Sequence, residues 1–280
     1  MQTFFVVRKF HIERMKKAFL LLLVVVTFVS CSEYQKALNR DDITQKYYVG
    51  EKMYDAGKYN KALRLFEQIA PGYRGKPQAE KLFYMQAKAS YEMKQYGMSA
   101  YLFERFIAGY PRSEKVEEAW LLSGKSYAQE SPKYSKDQED TYKAIDKLQE
   151  FINIYPDSEY AEEANKIIIE LNHKIEKKYF EIAKQYNTIA GFTRDYRAAI
   201  VALDNFLIDY PGTIYTEDAL YYKFDSLYHL AINSVQDKKK ERLEQAQSAY
   251  NALIRYKSET KYKAQADKFY EEIQQELQKS

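Results

Sequence analysis

The sequence predicts an all-α protein built from repeated helix-turn-helix units, and three observations support this. Glycine and proline, the residues that most weaken a helix interior, are scarce, at 9 and 6 of 280 residues. A motif in which an apolar helix ends at Tyr-Pro recurs along the chain. Small and aromatic residues recur in register in the segments upstream of that motif. We therefore expect about five repeats and a C-terminal helix.

The chain starts with a pattern typical of export. Met15 to Lys17 is a basic start, an apolar run from Ala18 to Val29 follows, and Ser30 precedes Cys31. A cationic region, an apolar region and a small residue, in this order, are characteristic of a cleaved secretory signal. The end of the run is similar to a bacterial lipobox, in which the cysteine is acylated and becomes the first residue of the mature protein. Residues 1–30 are therefore predicted to be a removed signal peptide, and Cys31 the lipid attachment site.

Two other interpretations of this segment stay open. A transmembrane helix needs about 20 apolar residues, and the run that ends at Val29 is shorter. An ordinary cleaved signal would leave Cys31 without a lipid, and Phe28 stands where a lipobox usually has leucine. Because Met15 alone begins a complete signal, either Met1 or Met15 could be the start of the protein.

Removal of the predicted signal leaves a nearly neutral chain. The full chain has a formal net charge of +3, whereas residues 31–280 hold 38 basic and 39 acidic residues. Proteins that bind nucleic acid usually carry a strongly basic surface, so we expect no nucleic-acid partner. The single cysteine allows neither an internal disulfide nor a cysteine-based metal cluster.

The junction motif predicts where helices end and begin. Proline cannot continue a helix and disfavours the helical conformation of the residue before it. A serine or threonine two residues later can cap the next helix, and the acidic pair that follows suits its first turn. A fourth copy, Ala252 to Ser258, has lost its proline. The complete copies are Phe106 to Ser113, Phe151 to Ser158 and Phe206 to Thr213, with acidic pairs Glu117-Glu118, Glu162-Glu163 and Glu217-Asp218.

Small residues mark where two helices can approach closely. Gly50, Ala87 and Gly124 recur at a spacing of 37 residues in the first helix of each predicted pair. A helix-turn-helix unit of about 34 residues with this pattern resembles the tetratricopeptide repeat, which stacks into a superhelix. The predicted repeats are 44–77, 78–113, 115–157, 160–212 and 215–258, followed by a capping helix from Ala264 to Leu277.

We divide the mature chain into three parts. Residues 31–43 form a lipid-anchored tether, residues 44–157 form N-terminal repeats one to three, and residues 158–280 form C-terminal repeats four and five with the capping helix. Two repeats are stretched by polar loops at 129–140 and 191–195.

The sequence offers no recognisable catalytic or metal-binding pattern. His173 and His229 lie in separate predicted repeats, without a neighbouring nucleophile or ligand set. The acidic pairs recur at equivalent helix starts, which favours a first-turn role over acid/base catalysis. We therefore expect no enzymatic activity, no metal and no cofactor apart from the covalent lipid on Cys31.

The first helices of such repeats line the concave side of the stack, and their tyrosines fall in register. Aligning Gly50 with Ala87 pairs Tyr47 with Tyr84 and Tyr54 with Tyr91, and it places lysines opposite Glu51. This predicts a groove for a short peptide with aromatic side chains, in which the lysines could receive a terminal carboxylate. The alternative is that the tyrosines pack between helices. We call the candidate set the tyrosine stripe: Tyr47, Tyr54, Tyr84, Lys88, Tyr91 and Lys125.

The lipobox cysteine, the start Cys31 to Leu38, the five repeats and the Tyr-Pro signature together resemble the BamD family, over residues 31–280. These are lipoproteins of the β-barrel assembly machinery, and the tyrosine- and lysine-rich composition looks like a Bacteroidetes version. The resemblance implies a non-catalytic protein, lipid-anchored in the outer membrane and facing the periplasm. It also implies two partners: the POTRA region of the barrel-forming BamA subunit, bound mainly by the C-terminal repeats, and unfolded β-barrel proteins, whose C-terminal targeting strand the N-terminal repeats receive for insertion.

Two other functions stay open at this point. The first is a different periplasmic repeat lipoprotein, acting as an adaptor in the envelope or in division. The second is an unrecognised processing enzyme or a nutrient-binding lipoprotein; a sugar site often uses tryptophan, and Trp120 is the only one in the chain. Because repeat five lacks Tyr-Pro and the 129–140 loop is long, no individual partner contact is assigned to repeats four and five.

Overall fold

All the regular structure in residues 33–279, which the computed structural model describes, is helical. The predicted all-α class is confirmed, and each predicted repeat corresponds to one pair of consecutive helices. The predicted signal peptide and Cys31 lie outside the described residues. The helices are α1 (33–39), α2 (Ile43–Asp55), α3 (Tyr59–Tyr73), α4 (Ala79–Glu92), α5 (Tyr96–Gly109), α6 (Val116–Glu130), α7 (Glu139–Ile154), α8 (Ala161–Thr193), α9 (Arg197–Asp209), α10 (Thr216–Ile232), α11 (Gln236–Tyr256) and α12 (Lys263–Lys279).

The described chain divides into two compact units. The first contains residues 33–130 and 146–164, and the second contains residues 131–145 and 165–279. Helices α7 and α8 each contribute residues to both units. Within residues 33–279, no helix has both the length and the apolar content needed to cross a bilayer. The tether and the division at residue 157 stay predictions.

The first unit is held together where small residues of one helix meet bulky residues of the next. A β-carbon added at Gly50 in α2 would lie 2.6 Å from the ring of Phe66 in α3. One added at Gly124 in α6 would lie 2.6 Å from Cγ of Leu148 in α7. At the third predicted position, Ala87 is completely buried, and its carbonyl accepts a hydrogen bond from the Ser99 hydroxyl at 3.3 Å. The 37-residue spacing therefore marks close helix contact.

Apolar side chains of the second helices fill the cores of both units. In the first unit, Phe66, Phe103 and Phe106 are buried in contact with the helices on either side. In the second unit, Phe206 packs with Phe180, and Leu243 and Leu253 pack with Phe224 and Ile273. Phe66, Phe103, Phe106 and Phe206 belong to the recurring small–aromatic pattern of the sequence. Truncation of a buried phenylalanine typically costs about 3–5 kcal/mol.

The Tyr-Pro junctions share one hydrogen-bond pattern. The N–H of Tyr110 donates to the carbonyl of Phe106 at 2.8 Å, which closes the last turn of α5. The hydroxyl of Ser113 then accepts the N–H of Lys115 at 3.0 Å. Helix α6 begins at Val116, three residues after Ser113, so the hydroxyl orders the turn before the helix and is not the N-cap that we predicted. Equivalent bonds occur at Tyr155 with Ser158 and at Tyr210 with Thr213.

The fourth junction is shifted by one residue from the predicted alignment. Lys257, not Tyr256, closes α11 by donating its N–H to the carbonyl of Leu253 at 2.9 Å. Thr260 then takes the role of Ser113, because its hydroxyl accepts the N–H of Tyr262 at 3.3 Å. We aligned Tyr256 with Tyr110. In the structure the buried Leu253 corresponds to Phe106, and Lys257 therefore corresponds to Tyr110.

Glu217 in the first turn of α10 binds this fourth junction. Its carboxylate accepts from Lys257 Nζ and the Thr260 hydroxyl, both at 2.7 Å, and from the N–H of Lys261 at 2.9 Å. The hydrogen bonds from Lys257 and Thr260 lower the pKa of Glu217 to about 2, from 4.5. Sequence analysis predicted only a first-turn role for this residue.

Gly124→Ala should destabilise the protein, whereas Gly97→Ala should not. The added methyl group at Gly124 meets Leu148, and overpacking of this kind costs about 1–3 kcal/mol. Gly97 lies near the start of α5 with nothing within 4 Å of its added carbon, so alanine should stabilise the helix by up to about 1 kcal/mol. Urea unfolding followed by circular dichroism measures both. Equal effects of the two substitutions would contradict the close contact.

Glu217→Gln should destabilise the protein in a pH-dependent way. Because the pKa of the folded state is lowered, the carboxylate contributes stability above pH 4.5, and this is lost as the pH falls towards 2. Hydrogen bonds to a charged group suggest a deficit of about 1–2 kcal/mol near pH 7. Urea unfolding at pH 7 and pH 3.5 should show the deficit shrinking at the lower pH. Glu259→Gln, at an exposed position in the same turn, is the control and should change stability by less than about 0.5 kcal/mol.

Candidate functional site

The tyrosine stripe lies on the first helices of the first unit. Tyr47 and Tyr54 are on α2, Tyr84, Lys88 and Tyr91 are on α4, and Lys125 is on α6. Helix α4 packs against both α2 and α6. Tyr84 lies near Tyr54, and Tyr91 lies near Lys125. The structure therefore brings the six predicted residues onto neighbouring helices, and all six are partly exposed.

Each tyrosine ring of the stripe rests on an aromatic side chain of a second helix. Aromatic pairs at such separations contribute about 0.5–1.5 kcal/mol beyond the burial of their area. The rings thus belong to the core at one side, and their partial exposure leaves the other side open. The ring-centroid distances are 5.2 Å for Tyr47 with Tyr73, 5.5 Å for Tyr54 with Tyr59, 5.6 Å for Tyr84 with Phe106, and 5.6 Å for Tyr91 with Tyr96.

The hydroxyl groups of these tyrosines stay protonated. Burial raises the pKa of Tyr54, and the neighbouring charges of Glu118 and Glu92 raise it further. Burial also raises the pKa of Tyr84, whose hydroxyl donates a hydrogen bond to Glu118. At neutral pH the stripe therefore presents neutral hydroxyl groups that can donate as well as accept hydrogen bonds.

The two lysines of the stripe are already ion-paired. Lys88 Nζ lies 3.4 Å from Glu118 in α6 and 3.9 Å from Glu92 in its own helix. Lys125 Nζ lies 2.6 Å from Glu163 at the start of α8. Each lysine thus links the first helix of its repeat to the first helix of the next repeat. A ligand carboxylate would have to share or displace these glutamates.

The corresponding pair in the first repeat has the opposite polarity. Glu51 in α2 occupies the position equivalent to Lys88 and Lys125, and it pairs with Lys81 in α4. In the first repeat the acidic residue is on the earlier helix and the lysine on the later one, which is the reverse of the Lys88–Glu118 pair. Both pairs connect adjacent first helices. The stripe and its ion-pair partners therefore carry both signs of charge.

Sequence analysis missed Glu118 as a member of this site. We interpreted it as a first-turn residue of α6. Its carboxylate also accepts hydrogen bonds from Tyr84 and Lys115 and forms an ion pair with Lys88. Burial acts to raise the pKa of Glu118, and the hydrogen bonds from Tyr84 and Lys115 outweigh it, so that the pKa is lowered. The only signal in the sequence is that Glu118 stands 37 residues after Lys81, the same spacing that relates Gly50 to Ala87.

The described residues contain no group of three or more histidine, cysteine, aspartate or glutamate side chains placed to hold a metal ion. His229 stacks on Tyr196 at 5.2 Å and lies 3.5 Å from Asp225. The stripe itself combines half-exposed rings with paired charges. Such a surface suits binding of an extended or amphipathic peptide, because aromatic faces and polar groups are presented side by side.

A family model described as YfiO, outer membrane lipoprotein, matches residues 39–243. The chain belongs to this family. It is the BamD family that the sequence motifs indicated, so that prediction is confirmed. The YfiO match includes all of α2 to α10 and the first eight residues of α11, and therefore the whole tyrosine stripe. A search of curated proteins found no match.

Two solved structures of tetratricopeptide-repeat proteins are similar to the chain. One is the TPR2AB domain of yeast Sti1 in complex with an HSP90 peptide, at 12% identity and a TM-score of 0.41, covering 83% of this chain and 98% of that one. The other is a TPR protein of Thermus thermophilus, at 14% identity and a TM-score of 0.31, covering 82% and 98%.

Tyr84→Phe should lower the free energy of unfolding by about 1–2 kcal/mol, because Glu118 loses a hydrogen bond inside a partly buried site. Tyr47→Phe is the control, since Tyr47 is also a partly exposed stripe residue with an aromatic partner, Tyr73, and its hydroxyl has no hydrogen-bond partner among the described residues. We expect a change below about 0.5 kcal/mol for the control. Urea unfolding at neutral pH measures both, and a larger loss for Tyr47→Phe would contradict the assignment.

Proposed function

We propose that the chain is a non-catalytic lipoprotein of the outer-membrane β-barrel assembly machinery. It scaffolds the POTRA-containing, barrel-forming subunit and receives the C-terminal targeting strands of unfolded barrel proteins for insertion. Membership of the YfiO family over residues 39–243 supports this proposal. The helical repeats support it too, because stacked helical repeats commonly serve as binding surfaces.

The lipid on Cys31 gives this scaffold its place in the mechanism. Each buried CH₂ of an acyl chain contributes about 0.8 kcal/mol, so a multiply acylated cysteine holds the chain at the outer membrane, facing the periplasm. Tethering two binding partners at one membrane raises their effective concentration without any turnover. The protein would act by bringing a strand and the barrel-forming subunit together.

The half-exposed rings of the tyrosine stripe are the observation that carries the strand-binding role. An aromatic side chain of the strand would pack against the open sides of Tyr54 and Tyr91, whose other sides are held by Tyr59 and Tyr96. The terminal carboxylate of the strand would take the place of Glu118 or Glu163 beside Lys88 or Lys125. Exchanging one carboxylate for another keeps each lysine paired. The displaced Glu118 would keep Lys115 as its partner, and Glu163 is exposed to solvent.

Affinity purification of the tagged chain from detergent-extracted membranes, followed by mass spectrometry, tests the assembly role. We expect a large barrel protein with POTRA domains in stoichiometric amount. Recovery of peptidoglycan-associated or division proteins instead would leave the fold assignment intact and favour the alternative, an envelope or division adaptor. A preparation with no barrel protein would contradict the proposal.

Tyr54→Ala and Tyr91→Ala should each weaken binding of a peptide that ends in an aromatic residue, by about tenfold, because loss of an aromatic contact at an interface costs about 1–2 kcal/mol. Tyr101→Ala is the matched control, since Tyr101 is 50% exposed on α5, away from the stripe. Fluorescence anisotropy measures the affinities, and thermal unfolding checks that each variant is folded. Equal affinities for all three variants would exclude the stripe as the binding site.

A further inference from the structure

The second unit contains an open cleft of about 570 Å³ beside α8. One wall is the polar loop before α7, which is longer than the repeat pattern requires, and the other is the middle of α8. The cleft lies outside the tyrosine stripe and has no part in the proposed function. Its lining is mostly basic and aromatic: Lys133, Tyr134, His173, Lys174, Lys177 and Tyr215, with Glu170 as the one carboxylate that the described residues contribute.

The loop that forms one wall is ordered from within. Gln138 is only 3% exposed, and its side-chain amide donates to the carbonyls of Lys133 at 2.9 Å and Lys136 at 3.1 Å. The side-chain oxygen of Gln138 accepts from the Thr141 hydroxyl at 2.8 Å, and that hydroxyl also lies 2.5 Å from Ser131 Oγ. Because the buried Gln138 side chain both donates and accepts hydrogen bonds within the loop, the loop has a defined conformation, and so does the wall of the cleft.

Three lysines of α8 are held against this loop by neutral groups. Lys174 Nζ donates to Ser131 Oγ at 2.7 Å, and Lys178 Nζ donates to the carbonyl of Lys136 at 2.9 Å. Lys177 Nζ lies 4.6 Å from the centre of the Tyr134 ring. Within residues 33–279, none of the three forms an ion pair. The partly buried lysines of the stripe differ in this respect, because Lys88 and Lys125 are paired with carboxylates.

The ammonium groups of Lys174 and Lys177 are therefore partly buried without an ion-pair partner among the described residues. Burial lowers the pKa of Lys174, and no acidic group acts on it in the opposite direction. An ammonium group has three N–H donors, and Lys174 uses only one of them. A bound anion would complete these hydrogen bonds and neutralise the charge, which offsets the cost of burying an unpaired cation.

We propose that this cleft binds an oxyanion of the phosphate type, held by the ammonium groups of Lys133, Lys174 and Lys177. Three lysines against the single carboxylate of Glu170 favour an anion with more than one negative charge. Lysine acts on phosphate as a point charge, so the site does not require a planar ligand. The phosphate group could belong to a free phosphorylated solute or to a lipid headgroup, and the experiment separates these sources.

The test compares the full chain in detergent with two double variants. Lys174→Gln with Lys177→Gln removes two charges from the cleft, and each glutamine can still donate a hydrogen bond. Lys238→Gln with Lys240→Gln removes the same charge from exposed positions on α11. Isothermal titration calorimetry with inorganic phosphate measures the first source. Sedimentation with phosphatidic acid vesicles after removal of the detergent measures the second, with vesicles of zwitterionic phosphatidylcholine as the comparison for binding through the lipid anchor.

We expect the cleft variant to lose affinity for at least one of the two probes by about tenfold or more, while the α11 variant keeps its affinity within about twofold. A loss confined to inorganic phosphate assigns a free solute, and a loss confined to vesicles assigns a headgroup. Equal affinities for all three proteins, equal losses in both variants, or no binding of either probe would overturn the proposal. If the double variant does not fold, Lys177→Gln alone serves instead, because Lys177 lies over the Tyr134 ring whereas Lys174 donates a hydrogen bond to the loop.

Discussion

The close approach of two helices at a small residue is the constraint on which the first unit depends. At Gly50 and Gly124 there is no space for even one additional carbon atom, because Phe66 and Leu148 occupy it. This contact brings the paired helices together, and it thereby sets which side of each first helix faces its partner and which side remains for the stripe. A change of one methyl group at Gly124 therefore affects stability and the geometry of the surface together.

Adjacent repeats are joined by apolar contacts of the second helices and, in addition, by polar connections. Ion pairs join consecutive first helices, from Glu51 with Lys81 to Lys125 with Glu163. In the second unit, Glu217 joins the start of α10 to the turn before α12 through three hydrogen bonds. Because charged pairs are weakened by salt and by protonation while apolar contacts are not, the two kinds of connection should respond differently to solution conditions.

Each ring of the tyrosine stripe packs against a second helix and is also partly exposed. Packing between helices and a peptide-binding groove are therefore compatible interpretations. One side of each ring packs against a second helix, and this contact fixes the orientation of the ring. Binding of a ligand at the open side would therefore cost little further side-chain entropy. The cleft in the second unit differs in kind. Among residues 33–279 its lysines form no ion pair, whereas Lys88 and Lys125 do. The two proposals therefore assign aromatic peptide segments to one surface and anions to the other.

Sequence alone determined the helical class, the five helix pairs, the small residues at close contacts and the family, because these depend on residues near one another in the chain or on a regular spacing. It placed the six stripe residues on the correct helices for the same reason. Only the tertiary structure decided which charges meet. Glu118 reaches Lys88 across 30 residues, and Glu217 reaches Thr260 across 43, and no local pattern encodes such distances. The one-residue shift at the fourth junction was also decided by the tertiary structure. The end of α11 is set by the buried Leu253, whereas Tyr256 is exposed.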